Sequence, residues 1–116
     1  MPDKGHSHRL HIDPTPDMIR AQARLMYGQD EIQWKCLDAL WTIESHWNFR
    51  AKGANTTHGR ALGIAQALPA SKMKSMGLDF RSNPTTQVKW GLKYIKLRYG
   101  NKACRALGWE LAHGWY

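Results

Sequence analysis

The chain has 116 residues, with 17 Lys and Arg against 9 Asp and Glu, a formal net charge of +8. That length makes one ordinary domain, able to bury a core without a metal or a dense disulfide framework. No run approaching about 18 apolar residues is present, which excludes a transmembrane helix.

The N-terminal stretch is polar and rich in His and Pro. Residues 1–15 are expected to form a flexible arm, and residues 16–116 the folded domain. The arm lacks the apolar core of a secretory signal, so the chain reads either as an excised domain or as one that reaches its target by another route. Thr15-Pro16-Asp17 has the form of an N-cap followed by proline at the first helical position. The helix it opens carries Met18/Ile19, Gln22 and Leu25/Met26 as its expected apolar face, and stops at Gly28.

A second helix is predicted from about Asp30 to His46. Its stripe of Trp34, Leu37 and Leu40/Trp41 has the spacing of one helix face. One turn further along, the stripe lands on Glu44, a carboxylate where the pattern calls for a core residue. Asn48–Leu62 is polar, with Gly53 and Gly59, and is predicted to be a long loop or short hairpin. Gly63-Ile64-Ala65-Gln66 follows as a compact apolar stretch with one polar side chain. Pro69 opens a short helix through Met76, ended by Gly77. Asn83-Pro84 starts another helix, with Val88, Gly91/Leu92, Ile95 and Tyr99 on one face and Gly100 at its end. A last helix is predicted over about Lys102–Ala112. The chain therefore reads as mainly α, with one polar loop inserted among five helices.

Cys36 and Cys104 are either two buried free thiols or a disulfide tying the first core helix to the last. The bridge implies an oxidising compartment, and closing so long a loop contributes roughly 4 kcal/mol in the chain-entropy model. There is no third Cys, and the histidines lack the i, i+4 spacing of metal ligands. No metal and no cofactor are expected.

Glycosidic cleavage needs an acid that is still protonated near neutral pH. A carboxyl in an apolar pocket meets that need, because desolvation disfavours its charged form. Glu44 continues an apolar stripe and sits near the negative C-terminal end of its helix, which acts in the same direction. The competing reading is a solvated helix-end glutamate.

Three blocks carry a resemblance. Leu40-Trp41-Thr42-Ile43-Glu44-Ser45-His46-Trp47-Asn48 resembles the Glu-Ser motif of the SLT-type lytic transglycosylases, members of the lysozyme-like superfamily, in their actinobacterial or phage-borne form. Gly63-Ile64-Ala65-Gln66-Ala67-Leu68-Pro69 resembles that family's Gly-hydrophobic-x-Gln block. Asn83-Pro84, Gln87, Trp90-Gly91-Leu92, Tyr94-Ile95 and Arg98-Tyr99-Gly100 resemble its tyrosine-bearing helix, and His113-Gly114-Trp115-Tyr116 fits its ending. The resemblance implies a lysozyme-like helical domain whose polar loop or hairpin lines an active-site cleft. It assigns Glu44 as the catalytic acid and base, and Ser45 as the serine that shapes the site. Gly63, Ile64 and Gln66 fall in the glycan-contacting block, and Tyr94 matches the tyrosine that hydrogen-bonds near the carboxyl. It also implies a Cys36–Cys104 bridge, which members of this subgroup carry. Read from residues alone, Gln66 fits a loop amide and Tyr94 a core aromatic. Gly59-Arg60-Ala61-Leu62 departs from the family's usual Ser-Gly-Ala-aromatic, and the loop Gly53–His58 is a little longer.

A hydrolase needs a second carboxylate, as base or nucleophile. The loop Asn48–Leu62 has none. Asp38 is six residues from Glu44 and faces elsewhere, Asp79 reads as a turn residue, and Glu110 and Asp30/Glu31 read as solvated helix charges. A single-carboxylate transglycosylase yielding a 1,6-anhydro sugar is the expectation. The alternatives are a muramidase using Asp79 or a water held by Tyr94 and Gln66, and a non-catalytic wall-binding module. The expected partner is the peptidoglycan glycan strand and not nucleic acid, because Lys and Arg are spread along the chain without a reader motif. A monomer is expected, acting outside the cytoplasm as a secreted, virion-associated or phage lytic protein.

Overall fold

The structure is a computed structural model that describes residues 13–116; the predicted arm over 1–15 lies for the most part outside the described residues. The helices are α1 (Pro16–Tyr27), α2 (Glu31–Ser45), a 3-10 helix η1 (Ala70–Met76), α3 (Pro84–Tyr99) and α4 (Ala103–His113). Mainly α is the observed class. None of the helices is long and apolar enough to cross a membrane.

The helix ends fall where local chemistry puts them. Thr15 accepts from the Met18 amide, Asp30 from Gln33 and Asn83 from Thr85, while Gly28, Gly100 and Gly114 close their helices in the left-handed region. α4 lacks a side-chain cap of its own. Its first orphan N–H groups are taken by other helices instead: Ala103 donates to the Tyr27 hydroxyl (2.9 Å) and Cys104 to Gln33 Oε1 (2.9 Å).

That arrangement corrects the expected face of α1. Ile19, Ala23 and Tyr27 are its buried residues, whereas Met18 and Leu25 are 57% and 85% exposed. The small Ala23 lets α1 approach, and Tyr27 must point at the start of α4 to serve it. α2 buries Trp34, Leu37, Leu40 and Trp41 as the stripe predicts. Each such side chain contributes roughly 1.5–3 kcal/mol of burial. Cys36 is bonded to Cys104, so a disulfide joins α2 to α4.

After α2 the chain turns sharply, with His46 and Trp47 both at positive φ (53° and 61°). The turn folds Trp47 back under the helix, where its indole N–H donates to Asp38 (2.9 Å). Asp38 is also gripped by Arg20 of α1 through two hydrogen bonds, at 2.9 and 3.1 Å. The polar loop that follows is pinched by three isolated antiparallel bridges, Lys52 with Leu62, Thr56 with Gly59 and Leu62 with Ala67. It contains no strand.

Two contacts fix α3 beside this loop. Gln87 is fully buried; its amide oxygen accepts from the Ile64 amide (3.0 Å) and its nitrogen donates to the carbonyls of Phe49 and Phe80 (2.9 Å each). A Cβ on Gly63 would lie 2.3 Å from Gln87, and one on Gly91 would lie 2.5 Å from the Trp41 ring. Glycine at these two positions lets loop and helix close on the core.

Candidate active site

Glu44 is in the last turn of α2 and is half-buried. It lines a cavity of about 450 Å³ shared with Gln66, Leu68, Trp90, Tyr94, Arg98 and Trp115. Glu44 carries the one side-chain carboxylate among the lining residues. Burial, then the neighbouring Glu110 carboxyl, pushes its pKa up to about 9 from an ordinary 4.5. The carboxyl is therefore protonated at neutral pH, as a general acid requires.

The floor of the cavity is a hydrogen-bonded stack. The Tyr116 hydroxyl accepts from the Trp41 indole (2.9 Å) and donates to the Ala65 carbonyl (2.8 Å). Burial holds the Tyr116 phenol well above its usual range, so it stays a neutral donor. Tyr94 lines one wall and stacks on Trp90 at 5.2 Å between ring centroids. Its hydroxyl donates to the main-chain oxygen of Tyr116 (2.6 Å) and thus braces the floor. No hydrogen bond links it to Glu44 among the described residues. Arg98 lies over the Tyr94 and Trp115 rings, 5.9 and 5.5 Å from their centroids.

Ser45, Gly63 and Ile64 do not line the cavity; they hold it together. The Ser45 hydroxyl is buried, 2.8 Å from the Ile64 carbonyl and 3.2 Å from that of Trp41, which ties the end of α2 to the 63–66 turn. Gln66, at φ 57°, does line the cavity. Both of its amide hydrogens are spent on the carbonyls of Ala51 (3.1 Å) and Gly63 (2.9 Å). Only Oε1 remains to meet a ligand.

Residues 23–109 match the family model described as the Transglycosylase SLT domain. The chain belongs to that family. A curated relative, the membrane-bound lytic murein transglycosylase F of Vibrio parahaemolyticus serotype O3:K6 (strain RIMD 2210633), is 33% identical over 67 residues. The matched stretch covers 58% of this chain and 12% of that protein. No solved structure matches.

Within this SLT domain the other carboxylates divide plainly. Asp79 accepts from Asn83 (2.8 Å) and Thr86 (2.7 Å), bonds that hold its carboxyl below the usual range, and it is not part of the cavity. Asp30 caps α2 and Glu31 pairs with Arg24 on the surface. Glu110 is the correction. Expected as a solvated helix charge, it is 6% exposed and its carboxyl neighbours that of Glu44. The signal for it was present: Ala103, Ala106 and Glu110 are all buried at i, i+3 and i+7 of α4, the same stripe logic that singles out Glu44.

Proposed function

We propose that this domain cleaves the β-1,4 bond between N-acetylmuramic acid and N-acetylglucosamine in peptidoglycan, as a lytic transglycosylase. The observation that carries the reading is Glu44, a protonated carboxyl on a cavity that has no second side-chain carboxylate in its lining. Membership of the SLT family and the transglycosylase relative support it.

Glu44 donates its proton to the glycosidic oxygen, and the bond from that oxygen to C1 of the muramic residue breaks. The substrate's N-acetyl group stabilises the positive charge left at C1. The Glu44 carboxylate then takes the proton of the C6 hydroxyl as O6 bonds to C1. The products are a free 4-hydroxyl on N-acetylglucosamine and a 1,6-anhydro sugar, and Glu44 ends protonated as it began. Gln66 Oε1 accepts from a substrate N–H or O–H, and Tyr94 and Trp90 form an apolar wall for the sugar ring. Trp115, 49% exposed at the rim, offers a stacking face for a neighbouring sugar. The net charge of +8 suits an anionic wall. The Cys36–Cys104 bridge fits an extracytoplasmic site of action.

Glu44→Gln tests catalyst against binder. The variant should lose about 10²–10⁴-fold in wall clearing while still pelleting with insoluble peptidoglycan. Undiminished clearing would remove Glu44 from the mechanism.

A further inference from the structure

Glu110 is a buried carboxyl that the reaction above does not use. It lies behind Glu44, outside the residues that line the cavity, and touches it across the α2–α4 interface. Its Oε1 is fully buried and receives no hydrogen bond from any N–H or O–H group. Apart from Glu44, its carboxyl has no hydrogen-bonding partner among the described residues. A buried acceptor left in that state is unfavourable by roughly 1–3 kcal/mol, and two carboxylates in contact cannot both be ionised at low cost. A single proton held between the carboxyls relieves both problems.

We propose that Glu110 is a positioning partner of Glu44: the two carboxyls share one proton, which keeps the cavity-facing group an acid where an isolated glutamate is ionised, and makes it a stronger base once that proton has gone. The proposal rests on the transglycosylase reading for its catalytic consequence, though not for the pair itself. When Glu44 protonates the glycosidic oxygen, both carboxyls are left charged side by side. Removal of the C6 proton by Glu44 ends that repulsion, so the same contact that holds the acid also drives the second half of the reaction. The burial of Glu44 and its raised pKa fit this arrangement.

Other groups face the pair. Tyr116 contributes a neutral phenol from the segment after α4, and Tyr94 another from α3. The Tyr99 hydroxyl, also on α3, is buried without a partner. Arg98 and Lys72 line the cavity as cations.

Only three glutamates occur in the chain, at 31, 44 and 110, so carboxyl ¹³C NMR of glutamate-labelled protein follows each one directly. In the unmodified protein the Glu44 carboxyl should titrate well above the ordinary glutamate range. Glu110→Gln removes the like charge and places an N–H donor beside Glu44. Its Glu44 step should move down by about one pH unit or more, equal to a tenfold or greater change in acidity. The alkaline limb of kcat should move with it, and KM should stay where it was. Glu110→Met, which keeps the volume and offers no donor, should shift both in the same direction by less. A Glu44 titration identical in the unmodified protein and in either folded variant would overturn the shared proton. The two readings separate cleanly: a shifted titration in a protein that cuts no glycan upholds the pair and removes the activity. Cleavage with an unshifted titration does the reverse.

Discussion

In the proposed reaction one side chain, Glu44, carries the chemistry, and its burial also bears on the stability of the fold. Its carboxyl keeps a proton up to about pH 9 in the folded chain, against 4.5 ordinarily. The native state therefore binds more protons than the unfolded chain between those values, and stability falls as pH rises through that window. Below it the contribution is fully present. Glu44→Gln has no such proton to lose. Its Tm advantage over the unmodified protein should grow by several degrees from about pH 5 to about pH 9, measured by thermal melts across that range. A Tm difference that stays constant with pH would mean that Glu44 is not held protonated by its surroundings. The position of this residue is legible from its place on the Trp34–Leu37–Trp41 stripe. Glu110 follows the same rule on α4, but a charged residue after two alanines reads locally as a solvated face. Only the packing of α4 on α2 tells the two cases apart.

At the scale of the elements, helix limits were legible because caps are local. Thr15-Pro16, Asp30, Asn83-Pro84, Gly28 and Gly100 each mark an end that the structure keeps. The buried face of α1 was not legible, because Met18 and Leu25 are as apolar as Ile19 and only the need to cap α4 selects Tyr27. The loop was foreseen as polar and irregular. Its shape depends on bonds between residues far apart in sequence, such as Gly63 N–H to the Ala51 carbonyl (2.8 Å) and Gln87 to three separate segments. Gln87→Leu tests that dependence. It leaves the Ile64 N–H and the Phe49 and Phe80 carbonyls buried without partners, and should cost about 3 kcal/mol or more. Because Ile64 belongs to the turn that presents Gln66, KM for a soluble glycan should rise along with the loss of stability. Stability lost without any change in KM would show that the turn keeps its shape without Gln87.

For the whole molecule, the contacts that matter join distant parts of the chain. The disulfide ties α2 to α4 across 68 residues. The Gln33 cap and the Glu44–Glu110 contact lie along those same helices, and the Tyr27 cap brings the end of α1 to the start of α4. Opening a loop of that size should cost roughly 4 kcal/mol by chain entropy. The Cys36→Ser, Cys104→Ser double variant should melt at least about 15 °C lower, with the site's geometry kept wherever the fold survives. A change of only a few degrees would place the main restraint on these helices in their packing instead.

The central claim, that Glu44 serves as acid and then as base, is tested most directly by weighing what the protein releases from peptidoglycan. Mass spectrometry of a digest of defined, unmodified sacculi should show muropeptides ending in 1,6-anhydro-N-acetylmuramic acid, each lighter by one water than its hydrolysed counterpart. Products with free reducing ends and no anhydro forms would contradict the account, because water and not the C6 hydroxyl would then have been the nucleophile.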